Sequence, residues 1–165
     1  MTKFTKRMKR LFAWGTALLL VGGMQAASLP VDEPITPVDY VSTLVGTQSK
    51  HALSTGNTYP AVAMPWGMNF WVPQTGKMGD GWQYTYSAKK LRGLKQTHQP
   101  SPWINDYAAF SLMAVTGDLK FQEDERESWF SHKAEIAKPY YYSVYLADYD
   151  VLAEVAPTER AAQFK

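Results

Sequence analysis

Apolar and polar positions alternate with a period of two over much of this 165-residue chain. Over 82–86 (Trp-Gln-Tyr-Thr-Tyr) rings alternate with polar side chains, the period of a half-buried strand. A short apolar and aromatic run predicts a strand over 68–72, ended by Pro73. Residues 91–97 are read as the partner of 82–86, with 87–90 connecting them and Gly79-Asp80-Gly81 as a turn before them. Further strands are expected over 109–115, 128–132, 135–138, 140–146 and 151–155. Within the last pair Tyr142, Val144 and Leu146 share one face, and Val151, Ala153 and Val155 share another. No helical stripe of convincing length follows the first 27 residues. About eight to ten closely spaced candidate strands define an all-β chain, an antiparallel β-sandwich.

The intervening segments are polar or rich in turn formers. Residues 28–37 carry three prolines and are read as an extended lead-in. The state of 38–46 stays open, and 47–60 is read as a surface loop. The acidic stretch Glu-Asp-Glu-Arg-Glu at 123–127 is expected to be a solvated loop or strand end. The final residues 158–165 read as the start of another strand, as though the chain were cut inside a sheet.

The first 27 residues stand apart. Lys3, Lys6, Arg7, Lys9 and Arg10 precede an apolar run over 11–23 and small residues at Ala26 and Ala27, the pattern of a secretory signal peptide. That run falls short of the ~20 residues a membrane span needs. Export to the periplasm, the cell surface or the medium is expected, with no membrane span after cleavage. The formal charge of +2 then belongs to the leader, whose five basic residues face no acid. The remainder is net negative and shows no basic stripe, which argues against a nucleic-acid partner. There is no cysteine, so an exported domain must rely on its core or on further contacts. Aromatic residues make up 14% of the chain, with six tryptophans and ten tyrosines, and suit either a β-rich core or a sugar-stacking surface.

Candidate chemistry gathers at 98–107 (His-Gln-Pro-Ser-Pro-Trp-Ile-Asn-Asp-Tyr). Two prolines restrict the backbone around a histidine, a large flat ring, a side-chain amide and a carboxylate. A rigid loop of that make-up suits a sugar, which offers an apolar face and a rim of hydroxyls. Asp106 is the best single polar candidate, and His98 abuts the loop. Asp80 is better explained by its turn. A second candidate is Gly56-Asn57-Thr58, followed by Pro65-Trp66-Gly67, where glycine permits close backbone approach and Asn57 both donates and accepts. The alternative for that segment is a pair of turns around a core tryptophan. His51 and His132 lack metal-ligand spacing and are read as ordinary exposed histidines. No nucleophile motif is present.

A long ordered series of motifs carries a resemblance. It runs through Val38-Asp39-Tyr40-Val41, Val45-Gly46-Thr47, Gly56-Asn57-Thr58-Tyr59-Pro60, Pro65-Trp66-Gly67-Met68 and Gly81-Trp82-Gln83-Tyr84. It continues through Arg92-Gly93, 97–107, Lys138-Pro139-Tyr140-Tyr141-Tyr142 and Thr158-Glu159-Arg160. The series resembles glycoside hydrolase family 92, calcium-dependent exo-acting α-mannosidases. The resemblance implies an N-terminal β-sandwich over 38–165, with the helical (α/α)6 catalytic domain absent. It implies removal of terminal α-linked mannose, of the α-1,2 type, with inversion, calcium engaging the sugar's O2 and O3. The acid, the base and most Ca2+ ligands would come from the missing helical domain, so the chain alone is expected to be inactive and to hold no catalytic or metal residue. The sandwich would form one wall of the −1 pocket, with substrate contacts at Trp82, Trp103, Asn105, Asp106, His98 and Asn57. Asn57 stands where many members carry histidine. The implied partners are a mannose-containing glycan and the helical domain; the alternative is a non-catalytic carbohydrate-binding sandwich.

Overall fold

The computed structural model describes residues 35–48, 52, 58–76, 83–97 and 110–165. These lie in one unit, Ile35–Lys165. The leader and most of the lead-in lie outside the described residues.

A 3-10 turn at Pro37–Tyr40 precedes strands β1 (Phe70–Gln74), β2 (Lys90–Leu91), β3 (Gly93–Thr97) and β4 (Phe110–Leu112). One helical turn, α1 (Glu123–Arg126), leads to β5 (Ser128–Trp129), β6 (Glu135–Lys138), β7 (Tyr141–Leu146), β8 (Val151–Pro157) and β9 (Ala162–Phe164). They form antiparallel sheets of order β1-β3-β4, β2-β5 and β6-β7-β8-β9. The chain is an all-β, antiparallel sandwich, as its alternation predicts. No described helix is long and apolar enough to cross a membrane.

The β7–β8 hairpin shows how sequence makes the core. Tyr142 pairs with Val155, Val144 with Ala153 and Leu146 with Val151. Directly opposed residues point to the same side of a sheet. The two apolar sets expected on separate faces therefore merge into one, and they join Val62, Trp71, Val72, Leu91 and Leu94 in the core. Asp150, with φ 52°, takes the left-handed conformation that closes the hairpin.

Several expected elements change once neighbours are present. Pro73 does not end its strand; it lies inside β1, opposite Leu94. Trp71 exchanges both backbone bonds with Val62 on the outer edge, at 2.8 and 2.9 Å. Peptide groups alternate along a strand, so Pro73 also faces outward and its missing N–H removes no bond to β3. Of the expected strand over 82–86, residues 83–86 are irregular; Gln83 accepts from the N–H groups of Thr75 and Gly76 at 2.8 and 3.3 Å. The strand over 91–97 is broken at Arg92, and its pieces pair with β5, β1 and β4. The strands expected over 109–115 and 128–132 shorten to β4 and β5, and 140–146 starts one residue later.

The acidic stretch forms α1, and its charges are used. Arg92 pairs with Asp124, and with Glu127 at 2.9 Å, while Lys90 reaches Glu127 at 2.7 Å. Gln74 donates to Glu123 at 2.5 Å. The last residues form β9 on β8, as expected. Thr47 and Tyr59, placed in a surface loop by their sequence, are buried. Trp66 is not a core residue: it is 99% exposed.

Candidate functional site

The six residues singled out by sequence, Asn57, Trp82, His98, Trp103, Asn105 and Asp106, all lie outside the described residues. So do His51 and Asp80. The structure fixes the backbone on either side of them. Segment 98–109 leaves β3 at Thr97, which is wholly buried, and rejoins at Phe110 on the neighbouring β4, where Phe110 pairs with Gln96. Trp82 immediately precedes Gln83, which is held against Thr75 at the far end of β1. Phe70 pairs with Thr97 and Gln74 with Gly93, so these stems stand about 14 Å apart along the strand pair.

The stem beside Asn57 is built differently. Thr58 donates its hydroxyl to the Val45 carbonyl at 3.1 Å and packs under Gly46. A Cβ on Gly46 would come within 2.8 Å of the Thr58 hydroxyl, and its φ of 77° also favours glycine. Thr47 turns back to accept from the Tyr86 N–H at 3.1 Å. Leu44, Val45, Gly46, Thr47 and Tyr86 help line an open cleft of about 370 Å³. Its lining among the described residues includes no carboxylate. The described lining offers backbone groups, hydroxyls, an amide and one aromatic ring, which suit hydrogen bonding and stacking.

Behind the cleft lies a polar cluster that the sequence does not reveal. The Tyr86 ring stacks on His132 with centroids 3.8 Å apart. His132 Nε2 contacts the Tyr86 carbonyl at 2.6 Å, and Nδ1 contacts Glu135 at 2.5 Å. A carbonyl can only accept, so Nε2 is the donor in the first contact, and the ring bridges the Tyr86 carbonyl and the Glu135 carboxyl group. Glu135 also accepts from Tyr142 at 2.7 Å and from Tyr84 at 3.2 Å. Burial, reinforced by the carboxylate, raises the pKa of both hydroxyls and keeps them protonated donors. With three partners around it, the wholly buried Glu135 side chain holds His132, on which the Tyr86 ring stacks. His132, expected to be an exposed histidine, is instead the bridge of this cluster. The missed signal is only a His-x-x-Glu spacing, since the tyrosines are remote in sequence.

Among the described residues no three His, Cys, Asp or Glu side chains are grouped so as to hold a metal ion.

The described residues define an all-β antiparallel sandwich with an open cleft beside Tyr86. The sequence fits the family model of the glycosyl hydrolase family 92 N-terminal domain over residues 40–165, and the chain belongs to that family. The fold is also that of solved members. The GH92 inverting mannosidase BT2199 of Bacteroides thetaiotaomicron VPI-5482 is 56% identical, with a TM-score of 0.71, covering 77% of this chain and 17% of that one. The GH92 α-mannosidase BT3965 of Bacteroides thetaiotaomicron is 32% identical, with a TM-score of 0.66, covering 77% and 18%. The family glycosyl hydrolase ccman5, at 23% identity and a TM-score of 0.63, shares the fold. This chain therefore spans less than a fifth of these solved chains. None of the curated proteins matches it.

Proposed function

We propose that the chain is the N-terminal sandwich of an exported, exo-acting α-mannosidase that hydrolyses terminal α-1,2-type mannosides with inversion. The observation that carries this reading is 56% identity to an inverting mannosidase across 77% of the chain. Inversion needs two carboxylates about 6.5–9.5 Å apart with water between them. Family resemblance assigns the acid and the base to the helical domain, and the described lining of the cleft beside Tyr86 includes no carboxylate. The domain's part is to hold the sugar. Trp82 and Trp103 stack the pyranose face; Asn105 and Asp106 take its hydroxyl hydrogens, with His98 and Asn57 at the margin. Calcium is assigned to the complete enzyme, with most of its ligands on the helical domain. The signal sequence at 1–27 directs export.

The test is release of mannose from mannobioses by the complete gene product, with and without a calcium chelator. Wild-type protein should release mannose, the chelator should stop it, and the 165-residue chain alone should release none. Trp103→Ala should lower kcat/KM about tenfold or more, the loss of roughly 1.4 kcal/mol of transition-state binding. Unchanged turnover would remove the wall assignment, and no hydrolysis of any α-mannoside by the wild type would remove the enzymatic reading.

A further inference from the structure

We propose that Glu135 and His132 are positioning residues, a buried pair that fixes Tyr86 as a wall of the cleft and acts on turnover only through it. The inference rests on the mannosidase reading for the reaction concerned.

The pair begins with a carboxylate in a core position. Glu135 lies in β6 opposite Val144, which is wholly buried, and directly opposed residues share a face. The next residue, Ile136, is exposed, so β6 turns its acid inward and its isoleucine outward. Burying a carboxylate is costly, and a well-packed apolar side chain of the same volume is often at least as stable. Packing therefore does not account for Glu135; the groups it holds do. Its side chain is 0% exposed, and polypeptide packed over the cleft can only deepen that burial.

Tyr86 is held by its ring and by both of its backbone groups. The His132 ring lies parallel to the Tyr86 ring, within 5°, with centroids 3.8 Å apart. Its Nε2 donates to the Tyr86 carbonyl at 2.6 Å, and Nδ1 meets Glu135 at 2.5 Å. Phe130 closes edge-on against the imidazole, with centroids 5.3 Å apart. The Tyr86 N–H donates to the Thr47 carbonyl at 3.1 Å. Thr47 is wholly buried and donates its hydroxyl to Leu44 at 2.7 Å, which stiffens the facing wall. Glu135 is itself anchored by Tyr142 on β7 and by Tyr84, two residues before Tyr86.

A continuous chain of contacts thus runs from β7 to the cleft. It ends beside two of the contacts assigned above. Thr58, next to Asn57, bonds Val45 in the cleft lining. Trp82 is four residues before Tyr86 and so within about 14 Å of it. A ring fixed in one orientation needs no ordering when substrate arrives, and small misplacements beside reacting atoms cost much rate.

The experiment uses the complete gene product, with mannobiose hydrolysis and amide exchange as separate readouts. Glu135→Gln keeps the side-chain volume and removes the carboxylate. It should lower kcat/KM about tenfold, as should His132→Ala and Tyr86→Ala. Glu135→Gln added to Tyr86→Ala should lower it no further, because both act at one point. Val72→Ala, a core truncation on another sheet, should melt lower yet keep kcat/KM within about twofold. In Glu135→Gln the Tyr86 N–H should exchange about tenfold faster, with the β1–β3 amides unchanged. If Glu135→Gln does not fold, His132→Phe, which keeps a flat ring and loses both nitrogens, carries the same expectations. Wild-type turnover in the variants, additive losses in the double variant, or an equal loss in Val72→Ala would overturn the pair. Unchanged exchange at Tyr86 would overturn it as well. A wild type that cleaves no α-mannoside sinks the enzymatic reading, and exchange at Tyr86 then decides the pair alone.

Discussion

Glu135 shows what a single side chain contributes once its surroundings are known. Its carboxyl group accepts from Tyr142 and Tyr84 and meets His132, and through His132 it fixes the Tyr86 ring at the cleft. Removing one donor from a buried acceptor leaves that acceptor under-satisfied. Tyr142→Phe should therefore lower unfolding stability by about 1–3 kcal/mol, read as a fall in the urea midpoint at constant slope. An unchanged midpoint would show the cluster to be energetically idle. None of this could be read from residue order, because Tyr86 lies 46 residues from His132. Trp66 is the opposite case. Its place between proline and glycine is visible in the sequence, but its positive φ of 61° and the exposure of the ring are not.

At the scale of elements, β3 carries the heaviest constraint. It is the middle strand of its sheet, and Leu94, Lys95 and Thr97 are all buried. Gly93 opens the strand where a Cβ would lie 2.3 Å from the Ser111 hydroxyl and 2.8 Å from the Leu112 carbonyl. The second contact is backbone, so β4 would have to move away. Gly93→Ala should cost about 1–3 kcal/mol and loosen the β3–β4 pair, which faster amide exchange at Phe110–Leu112 would reveal. Wild-type exchange there would mean the strands yield without cost. The same region shows why α1 escaped the sequence reading. Five charged residues in a row look solvated, yet Arg92 and Lys90 on another segment draw them into an ion-pair cluster with its own geometry.

Across the whole molecule, two carboxylates tie the ends of the described chain to its sheet. Asp39 accepts from the Thr36 backbone N–H and hydroxyl at 2.9 Å each and pairs with Lys138 at 3.2 Å. These interactions, the backbone bond foremost, hold its pKa below 3.8. Glu154 accepts from the Tyr141 hydroxyl and pairs with Lys165 at 3.2 Å, which holds it below 4.5. A carboxyl whose folded pKa is depressed binds fewer protons than in the unfolded chain, so its stabilisation is complete above the unfolded value. It is lost as pH falls through the folded one. The urea midpoint should be flat at neutral pH and decline once pH drops below about 4.5. Asp39→Asn should remove part of that decline, and an equally steep decline in the variant would discount the Asp39 tie.

The sequence by itself determined the class of fold, because period-two patterning admits few structures other than sheets. It also placed β6 to β9 closely, where turns and apolar alternation agree, and a long ordered set of motifs marked the family. Only the tertiary structure decided which strands pair, that Pro73 could sit on an outward edge, that the two hairpin faces merge, and that Glu135 gathers donors from three segments. The reason is physical: patterning acts between residues two or four apart, whereas pairing, burial and charge compensation depend on partners that only folding brings together.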